Sequence, residues 1–313
     1  MINWGINALN HGHGIAVFKE GQLVGNYAGT SDEIESATTV QALGHGSPDR
    51  IFWYERPWIK KARQLYAGQY RTAFDMSVLP KRHLKQFKYA PVTYTPHHAS
   101  HAAAGYYTSP FDHCAIVVLD AIGEFECATV WEGYHGEMTK VWSRSYPHSL
   151  GLFYSAFTQL CGLTPIKDEY LLQQMAEQGN PDRFYQVVRN YFGHWTLDLK
   201  YNFHKGVLNW PCEIVNLQDQ CDIAAAVQKV FELQIENVMW EAKKRIKSDC
   251  LVYMGGCAMN SKANKDIVET FYKYRWSLPN PGDPSSSIGA VLYHTREKIK
   301  WNGATAKHIA INI

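Results

Sequence analysis

Several features are missing from this 313-residue chain, and each absence excludes something. Its seven cysteines are odd in number and none forms a CxxC pair, which argues against a zinc ribbon or disulfide framework and for reduced thiols in a cytoplasmic setting. No apolar run approaches the roughly 20 residues a membrane helix needs. The opening MINWGINALN has no basic stretch followed by an apolar core, so a secretory leader is not expected. Charge of either sign is scarce in excess: the net is +2, and composition alone points to neither nucleic acid nor membrane. Disorder is excluded by a hydrophobic fraction of 46%. The HExxH signature of zinc proteases is absent as well.

What is present centres on YTPHHASHAAAGYYTSPFDHCAIVVLDAIGE, residues 94–124. His97 and His101 lie four apart beside an alanine run that favours helix, so both imidazoles share one face. His98 points about 100° away from its neighbour His97. CAIVVLD reads as a buried strand ending at Asp120. A helix with two imidazoles beside a strand-end carboxylate makes a plausible three-ligand site for a divalent metal, while the spacing alone is equally that of polar residues at a helix start.

Along the chain, INWGINAL and the hairpin IAVF/QLVGNY form a first strand set, joined by the turn NHGHG with His11 and His13. IFWYERPWIKKARQLYAGQY passes from strand to helix after Pro57, and its Lys60, Lys61 and Arg63 are a basic cluster whose plain role is a solvated helix face. CAIVVLD, ECATVWEG and MTKVWSRSY make a second strand set, so the organisation repeats. Ser149 opens a helix through LGLFYSAFTQL, PDRFYQVVRNYFG reads as another helix, and QDQCDIAAAVQKVFELQIENVMWEAKKRI is a long amphipathic one. In DCLVYMGGCAMNSKANKDI a strand meets a Gly255-Gly256 turn whose backbone amides could hold a phosphate or ribose. Asp283, in a Pro/Gly loop before the last helix, is either part of a helix cap or a ligand of a metal or phosphate. Two lobes are expected, 1–110 and 111–313, with an insertion around 180–220 in the second.

Taken together, these blocks resemble the O-carbamoyltransferase family of nodulation-factor and antibiotic-tailoring enzymes, and more distantly the tRNA threonylcarbamoyl-adenosine transferases. HGHGIAVFKEG is similar to H-D-A-S-A-A-L-L-x-D-G, and YERPWIKKAR to F-Y-E-K-P-L-x-K-F-E-R. HHASHAAAGYYTSPF resembles H-H-x-x-H-A-A-S-A-F-x-x-S-P-F, and LDAIGE resembles D-G-x-G-E with Ala121 in place of glycine. HSLGLFYSAFTQLCG, DIAAAVQ, MGGCAMNSKANKDI and NPGDPSSSIGAVLY follow in the family's order. The resemblance implies an α/β sugar-kinase/actin-like fold, duplicated β-β-β-α-β-α lobes around a nucleotide cleft. It implies metal ligands His97, His101, Asp120 and Asp283, holding a divalent ion, Fe(II) foremost. Gly255, Gly256 and Asn260, with Ser149 and Gly151, become the nucleotide-binding positions, and His11 the catalytic candidate.

The implied reaction moves a carbamoyl group from carbamoyl adenylate, made from ATP and carbamoyl phosphate, to a hydroxyl of a small molecule or nucleotide. A hydroxymethylated pyrimidine, free or in DNA, is the second choice of acceptor. A non-catalytic nucleotide-binding regulatory subunit is the competing class. The family's C-terminal adenylate-forming domain has no counterpart before Ile313, so a separate adenylate-forming partner is expected. Its basic E-E-R-F-T-R-x-K-H block is replaced by GTSDEIESATTVQALGHG. A compact chain of this kind suits a phage, acting in the host cytoplasm, or a split operon; no membrane partner is expected.

Overall fold

A computed structural model describes residues 1–10, 12–29 and 44–301. Two five-stranded sheets dominate it. The first contains β1 (Ile2–Asn10), β2 (Gly12–Lys19), β3 (Gln22–Gly29), β4 (Arg50–Trp53) and β5 (Val92–Tyr94), in the order β3-β2-β1-β4-β5. The second contains β6 (His113–Gly123), β7 (Glu126–Tyr134), β8 (Glu137–Ser145), β9 (Cys250–Met254) and β10 (Tyr274–Trp276), in the order β10-β9-β6-β7-β8. Each sheet is an antiparallel meander extended by two parallel strands, so the wiring is the same twice.

The helices are fixed by local signals. Pro57 occupies the first turn of α1 (Pro57–Tyr66), where a missing N–H costs nothing. Short α2 (Tyr70–Phe74) follows. His97–Thr108 forms α3, buried along its whole length, which small Ala residues permit. Ser149 caps α4 (Leu150–Leu160) by accepting from the Leu152 N–H, and α5 spans Glu169–Ala176. A capping box between Asn216 and Asp219 starts the 29-residue α6 (Leu217–Arg245), which ends on Lys243, Lys244 and Arg245 as its dipole favours. The last helix, α7, is Ser286–Thr295. PDRFYQVVRNYFG departs from the expected single helix: a 3-10 turn at Pro181–Arg183 and a short helix at Tyr185–Arg189 meet at Phe184, whose φ of -118° is not helical.

α3 and α7 lie side by side between the sheets. Their backbones approach so closely that a Cβ on Gly289 would sit 1.7 Å from the Ser100 carbonyl oxygen, so only glycine fits. β6 is buried on both faces, which explains its nearly unbroken apolar run. Cys114, Ile116 and Val118 face the α3–α7 layer, with Trp4, Ile6 and Val291 in the same core. Ala115, Val117 and Leu119 face the opposite core, built on α4 and α6. Each fully buried aliphatic side chain contributes about 1.5–3 kcal/mol.

Candidate functional site

Four side chains converge where the two strand systems meet. β5 leads through Thr95, whose N–H donates to the Trp53 carbonyl at 2.8 Å, and Pro96 into α3. The first two turns of α3 then present His97 and His101 on one face. His101 Nε2 lies 3.1 Å from His97 Nε2 and 3.2 Å from Asp283 Oδ1. His97 Nε2 lies 3.2 Å from Asp120 Oδ2 and 3.3 Å from Asp283 Oδ1, and His101 Nε2 lies 3.9 Å from Asp120 Oδ2. One donor atom from each of the four falls within 4.8 Å of every other. Asp120 is not the last residue of its strand, as the apolar run suggested. β6 continues to Gly123 through a register shift after Leu119, and that irregularity turns the carboxylate toward α3.

The electrostatics follow from this crowding. Burial alone would lower the His97 pKa, but the Asp283 and Asp120 carboxylates outweigh it and hold the imidazole well above its ordinary value. Burial and the neighbouring Asp283 push Asp120 up; the two imidazoles more than offset them and leave it at about 2. Asp283 is likewise held well below the carboxylate range, against its burial, by His97 and His101. His98 instead faces Thr129, its Nδ1 3.0 Å from the hydroxyl, and burial drives its pKa far down.

The donor set suits a divalent cation. Two imidazole nitrogens and two carboxylate oxygens aim at one point, and five of the six separations are 3.1–3.9 Å. Ligands about 2.0–2.2 Å from a shared ion stand at such distances from one another. The outer Nδ1 atoms of His97 and His101 are buried without a hydrogen-bond partner among the described residues, while the inward Nε2 atoms face the two carboxylates and would be the ligand atoms.

Four of the positions expected to bind a nucleotide, Gly255, Gly256, Ser149 and Gly151, lie against Leu119–Ala121, and Asn260 follows a few residues after Gly256. The Gly256 N–H donates to Asp120 Oδ1 at 3.2 Å and the Gly255 N–H donates to the Pro281 carbonyl at 2.9 Å, so these two amides brace the carboxylate and the Asp283 loop. Gly255 has φ +94°, and a Cβ there would meet the Leu119 oxygen at 2.2 Å. A Cβ on Gly256 would meet only Asp120 Oδ1, at 3.1 Å; the space beside it is open. Ser149 donates to the Ala121 carbonyl, and Gly151 packs on Ala121, so the start of α4 rests on the residue after Asp120. Asn260 is tied down: its Oδ1 accepts from Ala263 N–H and Gln228 Nε2, and its Nδ2 donates to Gln228 Oε1. His11 lies outside the described residues; a few residues on, Gly14 abuts Pro284, next to Asp283.

Sequence reasoning passed over two carboxylates. Glu55 Oε2 stands 4.0 Å from His97 Nδ1 while its other oxygen takes Lys60 at 2.8 Å. Buried Glu124 accepts from the Arg56 backbone N–H at 2.7 Å and from its guanidinium. Glu55 belongs to the stretch YERPWIKKAR and Glu124 binds its Arg56, and a lone Glu carries no spacing signal. The basic cluster there is internally employed: Lys60 pairs with Glu55, Lys61 donates to the Ala73 and Asp75 carbonyls, and Arg63 donates to the Glu124 carbonyl and Gln69.

Comparison with known proteins gives a family and a fold. Residues 59–292 match the family described as carbamoyltransferase N-terminus. An uncharacterized protein of Synechocystis sp. is 32% identical over 225 residues, 64% of this chain and 36% of that protein. The nodulation protein NolO of Bradyrhizobium diazoefficiens is 24% identical over 213 residues, 64% of this chain and 38% of that one. The matches thus span well under half the length of these curated relatives. In structure, component A of the (R)-2-hydroxyglutaryl-CoA dehydratase of Acidaminococcus fermentans superimposes with a TM-score of 0.52, covering 95% of this chain and 99% of that one at 12% identity. That likeness is one of fold, the sugar-kinase/actin-like α/β architecture.

Proposed function

Because the chain belongs to the carbamoyltransferase N-terminus family, we propose that it moves a carbamoyl group from carbamoyl adenylate to a hydroxyl on a small molecule or nucleotide. The observation that carries this reading is the convergence of His97, His101, Asp120 and Asp283 on one point at the junction of the two lobes. These four residues would hold a divalent metal, iron(II) in our reading, as a mixed nitrogen and oxygen donor set without thiolate suits it. Such an ion supplies Lewis-acid polarisation of a carbonyl or phosphoryl oxygen.

The protein's own part is positioning. Gly256 leaves open space beside Asp120, and the turn from Gly255 to Asn260, with Ser149 and Gly151 opposite, shapes the place where we put the nucleotide. Asn260 acts by fixing that turn through Gln228 and Ala263. Lys60 pairs with one oxygen of Glu55, and the other, 4.0 Å from His97 Nδ1, would help orient the ring. His11 is proposed as the base that takes the acceptor's proton. The adenylate is a mixed anhydride with a good leaving group, so orientation and charge stabilisation are the chief requirements.

Mass spectrometry of candidate acceptors, incubated with carbamoyl adenylate and iron-loaded protein, tests the reading: one carbamoyl group should be gained. Gly256→Trp fills the proposed nucleotide space, and calorimetry should show AMP or ATP binding weakened more than tenfold. Undiminished binding moves the nucleotide elsewhere. Binding that survives with no transfer to any hydroxyl would favour the regulatory-subunit reading.

A further inference from the structure

The segment 56–89 holds nine Lys and Arg against a single Asp, in a chain whose overall balance is only +2. Four of those cations, Arg56, Lys60, Lys61 and Arg63, are committed to internal partners as described. The other five are exposed, and none forms an ion pair among the described residues: Arg71, Lys81, Arg82, Lys85 and Lys88. The same segment exposes five aromatic rings, Trp58, Tyr66, Tyr70, Phe74 and Tyr89; Tyr66 and Phe74 are each 71% exposed and Tyr89 is 88% exposed. Aromatic rings cost free energy in water and normally find cover. Here Lys88 lies 4.9 Å from the Tyr89 ring, and the other rings share the segment with cations that form no ion pair among the described residues.

This strip is continuous with the site. α1 leaves β4 at Glu55, beside His97, and runs outward to Tyr66. Tyr66 stacks at 6.1 Å against Phe125, which follows Glu124 in the turn below Asp120, and at 6.3 Å against Tyr146. α2 then exposes Tyr70 and Phe74, and residues 81–89 follow in the chain with four of the five exposed cations.

We propose that residues 58–89 form an interface for a single-stranded polynucleotide, whose phosphates meet the unpaired cations and whose bases stack on the exposed rings. Positive charge and exposed rings gathered in one segment are the chemistry that binds unpaired strands. A strong local excess of Lys and Arg disfavours a second copy of the same surface, and a protein interface core is depleted in Lys. A flat bilayer would not reach a buried centre, whereas a flexible strand laid along α1 brings one nucleotide to the rim at Tyr66 and Phe125. The inference deepens the functional reading by naming the carrier of the acceptor hydroxyl, but the interface stands without it.

Fluorescence anisotropy with a labelled oligothymidylate of about 20 nucleotides, titrated between about 50 and about 200 mM salt, tests this. The strand should bind more tightly than a duplex of the same length. The variant Lys81→Ala/Arg82→Ala/Lys85→Ala should lower the slope of log affinity against log salt by about 2, at about 0.7 per phosphate contact. The variant Tyr70→Ala/Phe74→Ala should weaken binding at least about tenfold and leave that slope in place. All five side chains are exposed, so both variants should keep the wild-type unfolding temperature and metal content, which separates this outcome from a failure of the carbamoyl-transfer reading. No binding at about 50 mM salt would overturn the proposal. So would affinities unchanged in both variants, a duplex bound equally well, capture by anionic vesicles in place of the strand, or a concentration-dependent dimer abolished by the aromatic variant.

Discussion

The two sheets share one wiring diagram, yet their strand ends carry opposite chemistry. In the first half, the chain after β5 enters α3 and delivers two imidazoles, His97 and His101. In the second half, the chain after β10 passes through a Pro/Gly loop and delivers a carboxylate, Asp283, before α7. The opening hairpins diverge in the same way: both show a register shift near the end of their first strand, but in β6 it presents Asp120 and in β1 it follows Asn7, whose amide donates to Ser286. After the first parallel strand, one half places Glu55 beside His97 and the other places Gly256 beside Asp120. Equivalent strand ends come to one place, and divergence at those ends gives that place two imidazoles from one half and two carboxylates from the other.

This account can be broken most severely at the helix pair that joins the halves. Gly289→Val would drive a side chain into the Ser100 carbonyl, and overpacking of that severity costs about 3 kcal/mol or more. Thermal unfolding should show a large loss or failure to fold. A wild-type midpoint would mean that α3 and α7 are not as close as described, and the two sets of ligands would not meet.

A smaller effect is expected at the rim. Glu124→Gln leaves Arg56 without its anionic partner, costing about 1 kcal/mol because Arg56 remains half-exposed. Denaturant unfolding measures it, and an unchanged midpoint would show that the turn after Asp120 is held without this pair.

The halves also differ by α6, which has no counterpart of its length among the described residues of the first half. Asp219, in its capping box, is held below the ordinary carboxylate range first by the Val215 backbone N–H and then by Arg183. Its folded pKa is depressed, so its contribution is complete above the ordinary value of about 3.9 and is lost as pH falls through the lower, folded value. Wild type should therefore lose more stability than Asp219→Asn between about pH 6 and about pH 3. Parallel losses in the two proteins would remove Asp219 from the acid response of α6.

Much of this was legible in the sequence because its signals are local. The four-residue spacing of His97 and His101 beside alanines announces one helix face, and the apolar run Cys114–Leu119 announces a strand buried on both sides. The repeated meander was readable from alternating runs and turns. Asp283 could be joined to the other three only through the family resemblance, since nothing in local spacing connects residues 182 positions apart. Glu55 and Glu124 were invisible for the same reason. The basic cluster at Lys60, Lys61 and Arg63 looked like a solvated face because composition reports charge and not partners; the structure commits those cations inward and leaves the later ones open.

Iron stoichiometry, measured by mass spectrometry on protein refilled under anaerobic conditions, tests the central claim most directly. About one ion per chain is expected in wild type, and removing one protein ligand from either half, by His101→Ala or by Asp120→Ala, should weaken retention at least about tenfold. Full occupancy in both variants would contradict a centre built jointly by the two halves.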